Sequence, residues 1–165
     1  MTRLIRTLSL ITLTLAAAAA CAQTDAQRAF DSIKNLPGTW EQKAPDGKVL
    51  QVTFKNVSNG SAVMSEIGVP GEDMISMFHL DGPNKLLLTH YCGAGNQPRM
   101  RASFSPDGKT ISFDFQDGTN IDPPDSGHMQ KMILTLIDDN HHTEEWVFLD
   151  HGKEHKELFD LHRKM

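Results

Sequence analysis

"RMRASFSPDGKTISFDFQ", Arg99 to Gln116, reads as two strands and the turn between them. Met100, Ala102 and Phe104 alternate with Arg99, Arg101 and Ser103, and beyond the turn Ile111, Phe113 and Phe115 alternate with Ser112, Asp114 and Gln116. A period of two gives each segment one apolar and one polar face, the pattern of a half-buried strand. Between them "SPDG", residues 105 to 108, brings a proline with preset φ and a glycine that tolerates positive φ. A four-residue loop there puts Arg99 opposite Asp114 on the outer face, an exposed ion pair worth about 0–1 kcal/mol.

The same punctuation recurs along the chain, as "PDGK" at 45–48, "SNGS" at 58–61, "DGPN" at 81–84, "DDNH" at 138–141 and "DHGK" at 150–153. These turns bound ten strands, at 39–44, 49–57, 62–68, 74–80, 85–92, 99–104, 110–116, 129–137, 143–149 and 154–163. No helical crossover separates them, so neighbours pair antiparallel. A sheet of that many strands curls, and closing it removes its edges. The expected fold is all-β, an antiparallel up-and-down barrel of about ten strands. Trp146 and Phe148 alternate with the equally apolar Val147 and Leu149, which suggests a strand covered on both faces.

One helix precedes the strands. Thr24 with Gln27 three residues on forms a capping box, Phe30 and Ile33 share a side, and Pro37-Gly38 ends the segment at Leu36. Upstream, Arg3 and Arg6, an apolar run from Leu8 to Ala20 and "ACA" before Gln23 have the form of a secretory signal over residues 1–22. The run is too short to read as a membrane span. The expected product is a single domain, residues 23–165, periplasmic or secreted. "AAAC" also permits lipidation of Cys21, which would anchor it in the cell envelope. Either route leaves Cys92 as the only cysteine of the body, so no intrachain disulfide is available.

The whole chain carries 16 basic and 21 acidic residues. Without Arg3 and Arg6 the balance is 14 against 21, or −7. An acidic chain with no basic cluster is a poor partner for nucleic acid or anionic membrane surfaces, leaving lipid on Cys21 as the one route to a membrane.

Candidate site residues concentrate around "LTHYCGAGNQPRM", Leu88 to Met100. A tight turn at Gly82-Pro83 puts Leu80 opposite Lys85 and Ile75 opposite His90, so Ile75, Met77, His79, Leu86, Leu88, His90 and Cys92 share an inward face. His90 and Cys92 stand about 6.5–7 Å apart along the strand, too far for a nucleophile and its base without a bulge. Gly93 to Pro98 forms the connecting loop, where Asn96, Gln97 and Arg99 serve the backbone or hold the polar end of a ligand at the barrel mouth. Glu144 alternates with Trp146 and becomes a buried carboxylate if the turn at "HG" sets it opposite Phe159.

"MISM" and "MQKM" space their methionines oddly, which on a strand sends the sulfurs to opposite faces, and His141-His142 shares that geometry. No metal site is expected. Paired-carboxylate, Gly-x-Ser-x-Gly, phosphate-loop and zinc-ligand patterns are absent from the sequence.

"LPGTW", residues 36–40, adds the remaining signal. A short helix leading into Gly-x-Trp, a barrel meander and an arginine on the last strand resemble the calycin superfamily of lipocalins and fatty-acid-binding proteins. The resemblance implies that Trp40 closes one end of the barrel, that Arg163 packs across its ring, and that Gly38 completes the signature. Barrel closure makes the first and last strands neighbours, and a guanidinium over an indole contributes about 0.5–2 kcal/mol. Ten strands are nearer to fatty-acid-binding proteins or haem-binding nitrobindin-type barrels than to eight-stranded lipocalins. "LTHYCGAGNQPRM" is itself similar to a stretch in exported bacterial proteins of unknown function.

The function so implied is non-catalytic binding of a small apolar or amphipathic molecule, with Met77, Met100 and Phe113 among the lining residues. Three alternatives stand beside it. One is an envelope structural or assembly protein whose barrel is filled; another is an enzyme using His90 and Cys92 at the mouth. The third is a barrel holding non-covalent haem on His90 or His162.

Overall fold

A computed structural model of the chain describes residues 22–69, 72–121 and 127–165. Residues 1–21 of the segment read as a secretory signal, Cys21 among them, lie outside these. Thr24 caps helix α1 (Asp25–Ile33) through the capping box with Gln27, and Ala26, Ala29, Phe30 and Ile33 form its buried stripe. Ten strands follow: β1 (Gly38–Lys43), β2 (Val49–Val57), β3 (Ala62–Val69), β4 (Glu72–Leu80), β5 (Leu86–Tyr91), β6 (Gln97–Phe104), β7 (Thr110–Thr119), β8 (His128–Asp138), β9 (His141–Asp150) and β10 (Lys153–Arg163). Each pairs antiparallel with its chain neighbours, and β1 with β10, so the sheet is a closed barrel. No described helix is long and apolar enough to cross a membrane.

The up-and-down order fixes which loops share an end. Residues 58–61, 81–85, 105–109 and 139–140 lie with α1, and Thr24 donates its hydroxyl to the Pro83 carbonyl there. The loops after β1, β5 and β9 lie at the far end, as do the last residues of β3 and β7. The helix plugs its own end with its apolar stripe.

The seam between β1 and β10 has two paired positions, Trp40 with Arg163 and Glu41 with His162. The Arg163 guanidinium lies 4.2 Å from the centre of the buried Trp40 ring. Its nitrogens donate to the carbonyls of Pro37 (2.8 Å), Asp139 (3.1 Å) and Asn35 (3.3 Å). Gly38 sits at φ +129°, and a side chain there would start 3.0 Å from an Arg163 nitrogen, so glycine leaves the space the arginine uses.

Two registers differ from expectation. Asp81 N–H bonds to the Lys85 carbonyl (2.9 Å), and the loop it closes pairs Leu80 with Leu86 and Ser76 with His90. That one-residue slip turns Met77, His79 and Ile75 to the outer face and brings Ser76 and Phe78 inside, because side chains alternate at a period of two. In the next hairpin Phe104 pairs with Ile111, and a bulge between Arg99 and Met100 shifts the ladder further. Arg99 therefore pairs with Asp117 (2.5 Å), and Asp114 with Lys131 (3.0 Å).

Trp40, Val52, Val63, Phe78, Leu86, Leu88, Met100, Ile111, Phe113, Met132, Leu134 and Leu161 are all completely inaccessible. Zero exposure means that no gap wide enough for water touches them, so side chains fill the middle of the barrel. On the outer face of β9, Val147, opposite Lys131 and Lys156, is 2% exposed, so that face is covered at this position, while Thr143, Glu145 and Leu149 are half-buried.

Candidate functional site

Polar side chains cross this filled interior in a connected series. Ser65, Ser76 and His90 stand in one cross-strand row on β3, β4 and β5, all buried. His90 Nδ1 lies 2.9 Å from Ser76 Oγ, and its ring is 4.9 Å from the Trp146 indole. Trp146 Nε1 donates to Glu144 Oε2 (3.0 Å), and Glu144 Oε1 is 3.3 Å from His142 Nε2. His142 packs against Trp40 at 4.2 Å, and Trp40 Nε1 donates to the Leu36 carbonyl at 2.8 Å. Glu144 stands opposite Phe159 and is completely buried, the register in which it becomes an interior carboxyl.

Three atoms of this series have no hydrogen-bond partner among the described residues: Ser65 Oγ, His90 Nε2 and His142 Nδ1. A buried polar atom without a partner costs about 1–3 kcal/mol, and such groups point to strain, water or a ligand. Burial alone pushes the His90 pKa down to about 4. The ring is therefore neutral at pH 7 and offers one nitrogen for hydrogen bonding.

Ser76 and His90 have the contact distance of a nucleophile and its base. An imidazole held near pKa 4 is a weak base at neutral pH, and no carboxylate among the described residues orients its other nitrogen. The pair is suited to binding rather than to proton abstraction.

The far end of the barrel leads towards this series. Leu50, Met74, Phe115 and Phe148 are half-buried on the inward side there, and Phe115 lies 4.5 Å from His128. Asn96 is buried and donates to the Gly127 carbonyl (2.7 Å), tying the loop after β5 to the start of β8. Its Oδ1 has no partner among the described residues. Gln97 Oε1 accepts from Thr119 Oγ1 (2.5 Å) and Asn120 Nδ2 (3.3 Å), so it staples the β6–β7 hairpin.

Of the residues singled out in the sequence, His90, Met100, Phe113 and Glu144 lie inside and Asn96 is buried at the far rim. Met77, His79 and Arg99 lie outside. Cys92 falls just beyond β5, half-buried in a turn where its N–H bonds to the Asn96 carbonyl (3.0 Å), while His90 is engaged by Ser76. Ser65, Ser76 and His142 were not expected; alternation from Phe78 or Trp146 would have found them once the register was known. The two histidines considered for haem are placed differently. His90 is enclosed against Trp146, and His162 lies on the outer face beside Asp160.

The geometry defines a closed ten-stranded barrel of calycin-like fold, capped by a helix at one end and crossed by buried polar groups. The chain is similar in structure to Rv2717c from M. tuberculosis, known from a crystal structure, with TM-score 0.56 and 16% identity over 83% of this chain and 98% of that one. At that identity the likeness shows the fold. No family model and no curated protein matches the sequence.

Proposed function

We propose that the protein is a non-catalytic binding barrel for a small amphipathic molecule. The ligand enters at the far end, its apolar part against Leu50, Met74, Phe115 and Phe148 and its polar group on His90 Nε2 with Ser65 nearby in the row. The observation that carries this reading is that His90 Nε2 and Ser65 Oγ, on the cross-strand row inside the barrel, have no hydrogen-bond partner among the described residues. A barrel selected only for stability gains more from apolar side chains at those positions. Because the middle is filled, uptake requires the far-end side chains to part.

Native mass spectrometry of protein purified from its own source tests this. A retained small molecule on the wild type, lost in His90→Leu, is the expected result. An apo mass for both, with no change of stability on adding amphipathic extracts, overturns it.

A second reading has an observation of its own. The complete inaccessibility of Trp40, Phe78, Phe113 and their neighbours suits a filled structural barrel of the cell envelope. That reading expects His90→Leu to stabilise the fold with no loss of any bound species.

A further inference from the structure

On the outer face, away from the interior series, three metal-type ligands converge. His141 and His162 are directly opposed in the β9–β10 ladder, and Asp160 lies two residues before His162, hence on the same face. The imidazole rings stack with centres 4.1 Å apart. Asp160 Oδ1 is 2.6 Å from His141 Nε2 and 3.8 Å from His162 Nε2, and one ligand atom from each of the three lies within 4.8 Å of the others.

We propose that His141, Asp160 and His162 form a binding site for a divalent transition metal of the zinc class. Bonds of about 2.0–2.2 Å from zinc to nitrogen and oxygen set tetrahedral ligands about 3.3 Å apart. Reaching that value, by widening the 2.6 Å contact and shortening the 3.8 Å one, needs small rotations of side chains that are free to make them, since Asp160 and His162 are more than half exposed. Two imidazoles and a carboxylate suit zinc or copper rather than magnesium or calcium, which take all-oxygen shells.

The surroundings hold the ligands in place. Gln42 Oε1 accepts from the Asp160 N–H (2.8 Å) and Arg163 N–H from β10 bonds to the Asn140 carbonyl (2.9 Å), anchoring the backbone on both sides of His162. Glu41, across the seam from His162, is engaged by Lys164 at 2.6 Å. The fourth position opens on a groove lined by Glu41, Gln42, Lys43 and Lys164, so water or an external ligand completes the shell. The binding row is invisible as a sequence motif, because its histidines come from separate strands.

Zinc chloride titrated into the full chain by calorimetry, with cobalt chloride followed by its visible absorption, tests the site. The wild type is expected to bind one metal at this site, with thermal stability raised by zinc. His162→Ala and Asp160→Asn are each expected to weaken binding at least about tenfold and to abolish the stabilisation, whereas His151→Ala, an exposed histidine in the β9–β10 turn, changes neither. Equal zinc affinity and stabilisation in wild type and His162→Ala, or an equal loss in His151→Ala, overturns the proposal. The substituted side chains are exposed, so the melting curves without metal are expected to coincide.

Discussion

The His90 ring sits 4.9 Å from the Trp146 indole, tilted by 43° to it, and this contact walls in an imidazole whose charge would otherwise change near neutrality.

Stability should therefore depend on pH through His90. Its folded pKa, about 4, is below the ordinary 6.5, so the unfolded chain binds the extra proton first. The stability associated with the neutral ring is complete above pH 6.5 and is lost as pH falls towards 4, by about 3 kcal/mol in all. Urea unfolding from pH 7.5 to 4 should show this slope, and His90→Gln should flatten it. An unchanged slope in the variant would assign the effect to other groups.

Glu144 holds two neighbours at once, the Trp146 N–H and His142 Nε2. Glu144→Ala leaves both without that partner in a site with no solvent and should cost about 3 kcal/mol or more. Glu144→Gln, which keeps an acceptor for the indole, should cost less than half of that. Equal losses for the two variants would mean that the carboxyl group itself, absent from both, sets the cost, since glutamine keeps the volume and leaves no cavity.

The β4 register makes opposite demands on adjacent residues. Phe78 is completely buried and lies 5.4 Å from Phe113, so Phe78→Ala should cost about 3–5 kcal/mol. Met77 is half-buried on the outer face, and Met77→Ala should cost less than about 1 kcal/mol. Chemical denaturation of both variants settles the register, since a one-residue slip reverses their order.

Arg163 serves three carbonyls and one indole. Arg163→Ala should destabilise the barrel by about 2–3 kcal/mol, through the lost cation–π contact and charge-assisted hydrogen bonds. Arg163→Lys should recover a minor part, because an ammonium cannot span the same acceptors. Full recovery by lysine would reduce the contribution to charge alone.

Turn chemistry made the strands legible. "SPDG", "DGPN" and "DHGK" locate hairpins because only certain residues close them, and ten strands follow with ends within a few residues of those observed. Register was harder to read. The loop 81–85 is one residue from the expected closure, which was enough to exchange Met77 for Phe78 and His79 for Ser76 on the inward face. The bulge at Arg99 similarly replaced Asp114 by Asp117 as its partner, and no residue of that strand announces a bulge. Glu144 was recoverable because the β9–β10 turn is short and its ladder regular. His141 with His162 was not, since their meeting depends on that ladder running undisturbed along the whole strand pair.

The seam between β1 and β10 also bears on how the chain reaches its fold. Every other strand pair is a local hairpin, whereas Trp40 and Arg163 are 123 positions apart, from 163 minus 40. Joining ends so distant costs about 4 kcal/mol of chain entropy before any contact forms. The expected order is hairpins first and closure last, with β1 and β10 passing through a stage as unpaired edges that can recruit other chains. In stopped-flow refolding, Arg163→Ala should slow the last phase and leave earlier ones unchanged. Aggregation during refolding should then increase with the lifetime of that open sheet.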